Sequence, residues 1–182
     1  MAGATERVSL PDQDLLTPDC SSCAALCCVV FAFDRSESFA IDKDACEVCP
    51  NLDDHDRCRI FADREDLGFK GCIAYDCRGA GQRVTQEVFH GANWRENPAL
   101  KEPMGAALSV MRRIHDLLLL LETAGKMTLA AQEARALTHL QMKVDPSGTW
   151  TEERLRDFPI EDVTNEVNSF LRSLSHHVSS SR

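Results

Sequence analysis

Nine cysteines lie between Cys20 and Cys77, and the 105 residues that follow hold none. Four of them make the run CSSCAALCC, in which Cys20 and Cys23 form a CxxC pair and the vicinal Cys27 and Cys28 follow after three residues. The others fall in DACEVCPNL (Cys46, Cys49), DDHDRCRIF (Cys58) and KGCIAYDC (Cys72, Cys77). Thiols at this density are disulfides, metal ligands or redox groups. Disulfides need an oxidising compartment. The start MAGATERVSLPDQDLLTPD carries Glu6, Arg7, Asp12, Asp14 and Asp19 where a secretory signal needs an apolar core, so the expected location is the cytoplasm. In a reducing compartment, clustered thiols hold metal, because a shared cation relieves the repulsion between neighbouring thiolates.

The vicinal pair constrains how ligands are shared. Adjacent side chains diverge in most backbone conformations, so Cys27 and Cys28 serve two centres or bridge a cluster. A single zinc finger uses two spaced pairs and leaves no thiols over. Eight ligands suit two four-thiolate ions, or one iron–sulfur cubane with four cysteines left for another ion or for redox work. Spacing does not choose between zinc and an iron–sulfur cluster. A thiol–disulfide switch is the third reading, with Cys46 and Cys49 as its pair. Such a pair needs a lowered thiol pKa, and Glu47 between the two works against it. Among the remaining candidates, His55 reads as a solvated loop residue, and His115, with no second ligand three or four residues away, as a surface or packed side chain. GAGQ at 79–82 lacks the Lys-Ser/Thr of a phosphate loop and reads as a turn. No residue outside the cysteines stands out as catalytic.

The strings CSSCAALCC and CPNL, with the later Cys58, Cys72 and Cys77, resemble the YkgJ-type cysteine-cluster family, a zinc- or iron-chelating domain with the pattern CxxCxxCC, CxxL, CxIY and a closing pair of cysteines. More closely, the stretch from Cys20 through DCRGAGQRVTQEVFHGANWR and the helical region beyond it resembles the N-terminal part of actinobacterial pentapeptide repeat-containing proteins. The resemblance implies metal ligation by Cys20, Cys23, Cys27, Cys28, Cys49, Cys58, Cys72 and Cys77, by zinc or alternatively an iron–sulfur cluster. Cys46 has no counterpart in the pattern and is expected to be a free thiol. Here the spacer before the vicinal pair, AAL, is one residue longer than in the family pattern. The sequence holds no tandem A(D/N)LxX pentapeptides, so the β-helix of those relatives and any DNA-mimic role are not carried over. The cluster family is also related to flagellin lysine methylases with a four-iron cluster. Iron stays open on that ground, although no glycine-rich loop for a methyl donor is present.

The elements that must position these thiols differ between the two halves. Residues 1–100 carry 18 acids against 10 bases and residues 101–182 carry 11 against 10, within a net charge of -9. The metal-binding half is the acidic one, which disfavours nucleic acid as a partner. No run approaches the ~18 apolar residues of a membrane span. The expected fold is mainly α: a leader at 1–19 with little structure of its own, an irregular, loop-rich, metal-stapled cysteine module at 20–97, a small helical bundle at 98–178 and a disordered tail at 179–182. Within the module, Ile60, Phe61, Arg64 and Leu67 suit successive helical turns closed by Gly68. Pro103 to Gly125 carries a Met, Ala, Leu and Ile stripe at spacings of three and four, and LLLLL at 117–121 predicts cover on two sides. A second helix starts near Thr128. Thr149 and Glu152 stand in capping-box relation ahead of a third, and a fourth runs from Pro159 to Val178, with His176 and His177 frayed. Trp94 and Trp150 read as packing anchors. The expected function is metal binding without catalysis, with the helices offering a surface to a protein partner or a second copy; the alternatives are an iron–sulfur redox or sensor protein or enzyme subunit, and the thiol–disulfide switch.

Overall fold

The longest apolar stripe becomes the longest helix and the axis of the molecule. In the computed structural model, which describes residues 15–179, α4 runs from Lys101 to Gly125. Seven further helices accompany it among the described residues: α1 Leu26–Val30, α2 Lys70–Ala74, α3 Ala80–Arg83, α5 Ala131–Val144, α6 Glu152–Arg156, α7 Ile160–Ser173 and α8 Ser175–Ser179. The described chain is mainly helical, and its β structure amounts to the isolated bridges Phe33–Lys43 and Leu52–Cys58. Irregular backbone dominates up to residue 97 and a helical bundle follows, which is the architecture the sequence predicts.

Helix α4 packs against α5, α6 and α7 and also against α1 and α3. Met104, Leu108, Met111, Ile114 and Leu121 are each at most 1% exposed, so this helix buries more than one face, as the five consecutive leucines predict. Leu120 alone of those five is left 43% exposed. The core is continuous across the change in texture: Leu26, Val29, Ala80, Val84 and Trp94 belong to the same buried cluster as Leu137, Val144, Trp150, Val163 and Val167. Trp94 and Trp150 are anchors, and each indole N–H is satisfied, by the Ala24 carbonyl at 2.7 Å and by Asp145 at 2.8 Å.

Several local expectations are corrected. Residues 59–68 form a chain of turns rather than a helix, Phe61 is 59% exposed, and only the turn at Gly68 (φ +81°) matches. Their apolar residues lack a buried partner surface, without which a short helix does not hold together in water. The cap of α6 is Thr151, which accepts from the Arg154 N–H, not Thr149. The second helix begins at Ala131, three residues after Thr128. The fourth breaks at Leu174, and His176 and His177 lie in the short α8 instead of fraying. GAGQ is more than a turn, since its last three residues open α3, which runs on into a π-helical turn at Val84–Val88. Residues 15–19 are held in place: Gln82 accepts from the Asp19 N–H at 2.8 Å and donates to the Thr17 carbonyl at 2.9 Å. The rest of the expected leader, 1–14, and tail positions 180–182 lie outside the described residues.

Candidate metal centre

The vicinal cysteines ride on α1, a helix of one and a half turns entered through Ala25 at φ +50°. Leu26 and Val29 point into the core and are fully buried, which turns Cys27 and Cys28 outward from it. Cys20 is held by the 3-10 turn Cys20–Ser22, whose N-cap Asp19 accepts from the Ser21 N–H and from both serine hydroxyls. These hydrogen bonds hold the Asp19 carboxyl below the usual carboxylate range.

The downstream cysteines are brought back by contacts that periodicity does not encode. The segment around Cys77 is gripped by one face of α4. Arg112 Nε donates to the Asp76 carbonyl at 2.6 Å, Asp116 accepts from Arg78 Nε at 2.9 Å, and His115 Nδ1 donates to the Arg78 carbonyl. Cys72 is tied by Arg64, which donates to its carbonyl at 3.2 Å and to Phe61 at 2.8 Å. The loop leading to Cys58 is fixed by Asp56, which accepts from Arg95 Nε at 2.6 Å and Asn93 Nδ2 at 2.7 Å. Cys49 is joined to the vicinal pair through its own N–H, which donates to the Cys28 carbonyl at 3.0 Å.

The result is one thiol-rich face. All nine cysteines are free thiols. Cys20 and Cys23 each lie within electrostatic range of Cys27 and Cys77, and Cys72 within range of Cys27, Cys49 and Cys58. Cys27, beside Cys28, is common to both neighbourhoods. Among the described residues, no three cysteine sulfurs close to within 4.8 Å of one another. A tetrahedral zinc with bonds of ~2.3 Å sets sulfurs about 3.8 Å apart, so these thiols must draw together to share an ion.

Burial pushes the Cys23 thiol up to about 12 and the Cys72 thiol up to about 11, while Cys27 is raised chiefly by its hydrogen bond with Cys28. Thiols in this environment ionise only beside a cation. Cys49 is likewise raised by burial, opposite to what a thioredoxin-like pair with Cys46 requires. Cys46 occupies a left-handed position at φ +60°.

Three features bear on whether a metal–thiolate group fits this face. The Tyr75 hydroxyl is buried, has no hydrogen-bond partner, and lies near Cys77, Cys27 and Cys23. Gly81 leaves a cradle: a Cβ there would stand 2.8 Å from Cys23 Sγ and 3.9 Å from Cys77 Sγ. Lys43 is 4% exposed and donates to the carbonyls of Val29 (3.1 Å), Asp44 (3.0 Å) and Glu47 (2.8 Å), with Cys49, the Glu47 carboxylate, Cys28 and Cys46 nearby. An orphan donor, a space that tolerates no side chain and a buried cation all suit a sulfur-rich anionic group. Cys20 and Cys23 also border a polar crevice lined by Ser22, His55, Arg57 and Gln86. His55 is exposed and its N–H donates to Asp53, in keeping with a loop role.

Sequence reasoning missed Lys43, Tyr75 and the grip of Arg112, His115 and Asp116. The last left a legible signal, since polar residues at i, i+3 and i+4 share one side of the helix just ahead of its run of leucines. His115 is fully buried, the packed alternative of the two expected for it.

Comparison with known proteins gives one informative relative. The chain is 34% identical over 163 residues to an uncharacterized protein of Bacillus subtilis, YybG, a match covering 90% of this chain and 58% of that protein. The chain thus spans less than two thirds of that relative's length. No family profile matches the chain, and neither does any solved structure.

Proposed function

We propose that this chain is a non-catalytic metal-binding protein in which Cys20, Cys23, Cys27, Cys28, Cys49, Cys58, Cys72 and Cys77 are the ligands and zinc is the ion. The observation that carries the reading is Lys43. A buried ammonium costs several kcal/mol unless an anion balances it, and among the described residues Lys43 forms no salt bridge. Around it lie the Cys49, Cys28 and Cys46 thiols, with the Glu47 carboxylate as the one anion that acts on it. Neutral thiols offer no compensation, whereas a four-thiolate zinc centre carries a net charge of -2. The bound ion would join backbone segments that the irregular half otherwise links by loops, and its chemistry is cohesion.

An iron–sulfur centre is the second reading, favoured by the position of Cys27 between two thiol neighbourhoods, which suits a polynuclear group. Metal analysis of anaerobically purified protein separates the two. Colourless protein with stoichiometric zinc supports the first. Brown protein with iron and sulfide replaces it with the second. Little metal together with mixed disulfides overturns both in favour of a thiol switch.

A further inference from the structure

A second cluster of ligand-type side chains lies far along the chain from the cysteines. Glu133, in the first turn of α5, meets His176 and His177 of α8. Glu133 Oε1 stands 3.3 Å from His176 Nε2, and Oε2 stands 3.0 Å from His177 Nε2. The three ligand atoms all lie within 4.8 Å of one another, and among the described residues this is the group that closes to that extent. The two imidazole centroids are 4.0 Å apart with the rings tilted by 38°.

The tautomer of His176 makes this arrangement informative. Its Nδ1 lies 2.9 Å from the Ser173 carbonyl, which only accepts, so Nδ1 carries the hydrogen. In the neutral ring Nε2 then holds a lone pair, and that lone pair faces a carboxylate oxygen. That approach at 3.3 Å is favourable with a proton on Nε2, as an ion pair, or with a metal ion between the two groups. A histidine anchored through one nitrogen by a backbone carbonyl, with the other turned toward a carboxylate, matches the usual second-shell arrangement of metal-bound imidazole. The spacing agrees, because donors sharing one ion with bonds of about 2.0–2.2 Å stand roughly 3 Å apart. Oxygen and imidazole donors together select a borderline divalent transition ion over magnesium or calcium. Glu133 is oriented for the task by the Ala130 N–H, which donates to its Oε2 at 2.7 Å. The side chains of Glu133 and His177 are 19% and 23% exposed and that of His176 is 61% exposed, so an ion reaches the group from solvent.

We infer that Glu133, His176 and His177 form a second, sulfur-free site for a divalent transition metal such as Zn²⁺, clasping α8 to the start of α5. It is independent of the cysteine centre and stands whether or not that reading holds. Calorimetric titration of Zn²⁺ into protein as isolated, with its cysteines in their native state, tests it against His177→Ala, Glu133→Gln and the exposed control His139→Ala. Wild type and the control should bind one Zn²⁺ equivalent that the other two variants lose or bind more weakly by over the ~10–100-fold that even an outer-shell change costs. Far-UV circular dichroism checks the fold of each, and His177→Ala leaves the Glu133 contact with Ala130 intact should Glu133→Gln loosen α5. The isotherm of wild type reproduced by His177→Ala would overturn the site and leave a protonated histidine–glutamate cluster. So would the absence of Zn²⁺ uptake beyond that of the cysteines.

Discussion

Replacing Lys43 by methionine removes the buried charge while keeping an unbranched chain of similar length. Three charge-assisted hydrogen bonds are lost. The Asp44 carbonyl keeps a donor in the Glu47 N–H, but those of Val29 and Glu47 lose the ammonium that satisfies them. At ~1–3 kcal/mol for each orphaned acceptor, partly offset by no longer desolvating an ammonium, the loss comes to about 3 kcal/mol in either metal state. The metal-loaded protein loses more, because the counter-charge of the centre disappears. At an effective dielectric of ~20 and a separation of ~8 Å, that interaction is worth about 2 kcal/mol per unit of centre charge. Zinc affinity should therefore fall by at least about thirtyfold, while urea unfolding of the stripped protein shows only the smaller, metal-independent loss. Competition with a chromophoric chelator reads the affinity directly. Equal affinity in wild type and Lys43→Met would refute the idea that Lys43 balances a thiolate centre, and an unchanged urea midpoint would refute the cost assigned to its hydrogen bonds.

Two further outcomes rest on separate observations. Gly81→Ala should destabilise the protein by about 1–3 kcal/mol from overpacking against Cys23, outweighing a helix-propensity gain of up to ~1 kcal/mol; a urea midpoint that rises would show the cradle has slack. His115, fully buried, is held down to about 4 mainly by burial. The unfolded chain therefore takes up its proton first as pH falls. The contribution is complete above pH ~6.5 and is lost between ~6.5 and 4, on the order of 3 kcal/mol in all. His115→Gln should flatten that part of the stability curve, and parallel wild-type and variant curves over pH 4–7 would count against the burial argument.

What could be read along the chain was whatever has a short period or a distinctive residue type. Met104, Leu108, Met111 and Ile114 announce α4 because side chains three and four apart share a helix face whatever else the chain does. Pro159 marks the start of α7 for an equally local reason, although it stands at the N-cap with ψ +62° and not in the first turn: a residue without an N–H ends the preceding backbone pattern. The break at Leu174 was not legible, since the apolar period runs on through it. Nor was the fate of residues 59–68, whose pattern fits a helix but whose apolar face meets no partner. Local pattern proposes, and burial against distant residues decides.

The same division holds for function. By itself the sequence determined the ligand chemistry on offer, nine thiols within 58 positions and acidic surroundings, because residue type alone sets what an atom can bind. Only the tertiary structure decided which thiols neighbour which, that Lys43 is buried among them, that Arg112, His115 and Asp116 carry the segment bearing Cys77, and that Glu133 meets two histidines more than forty residues away. Those are single long-range contacts. They leave no period in the chain and arise only when the apolar faces of α1, α3 and α4 have packed and brought the remaining polar groups within reach of one another.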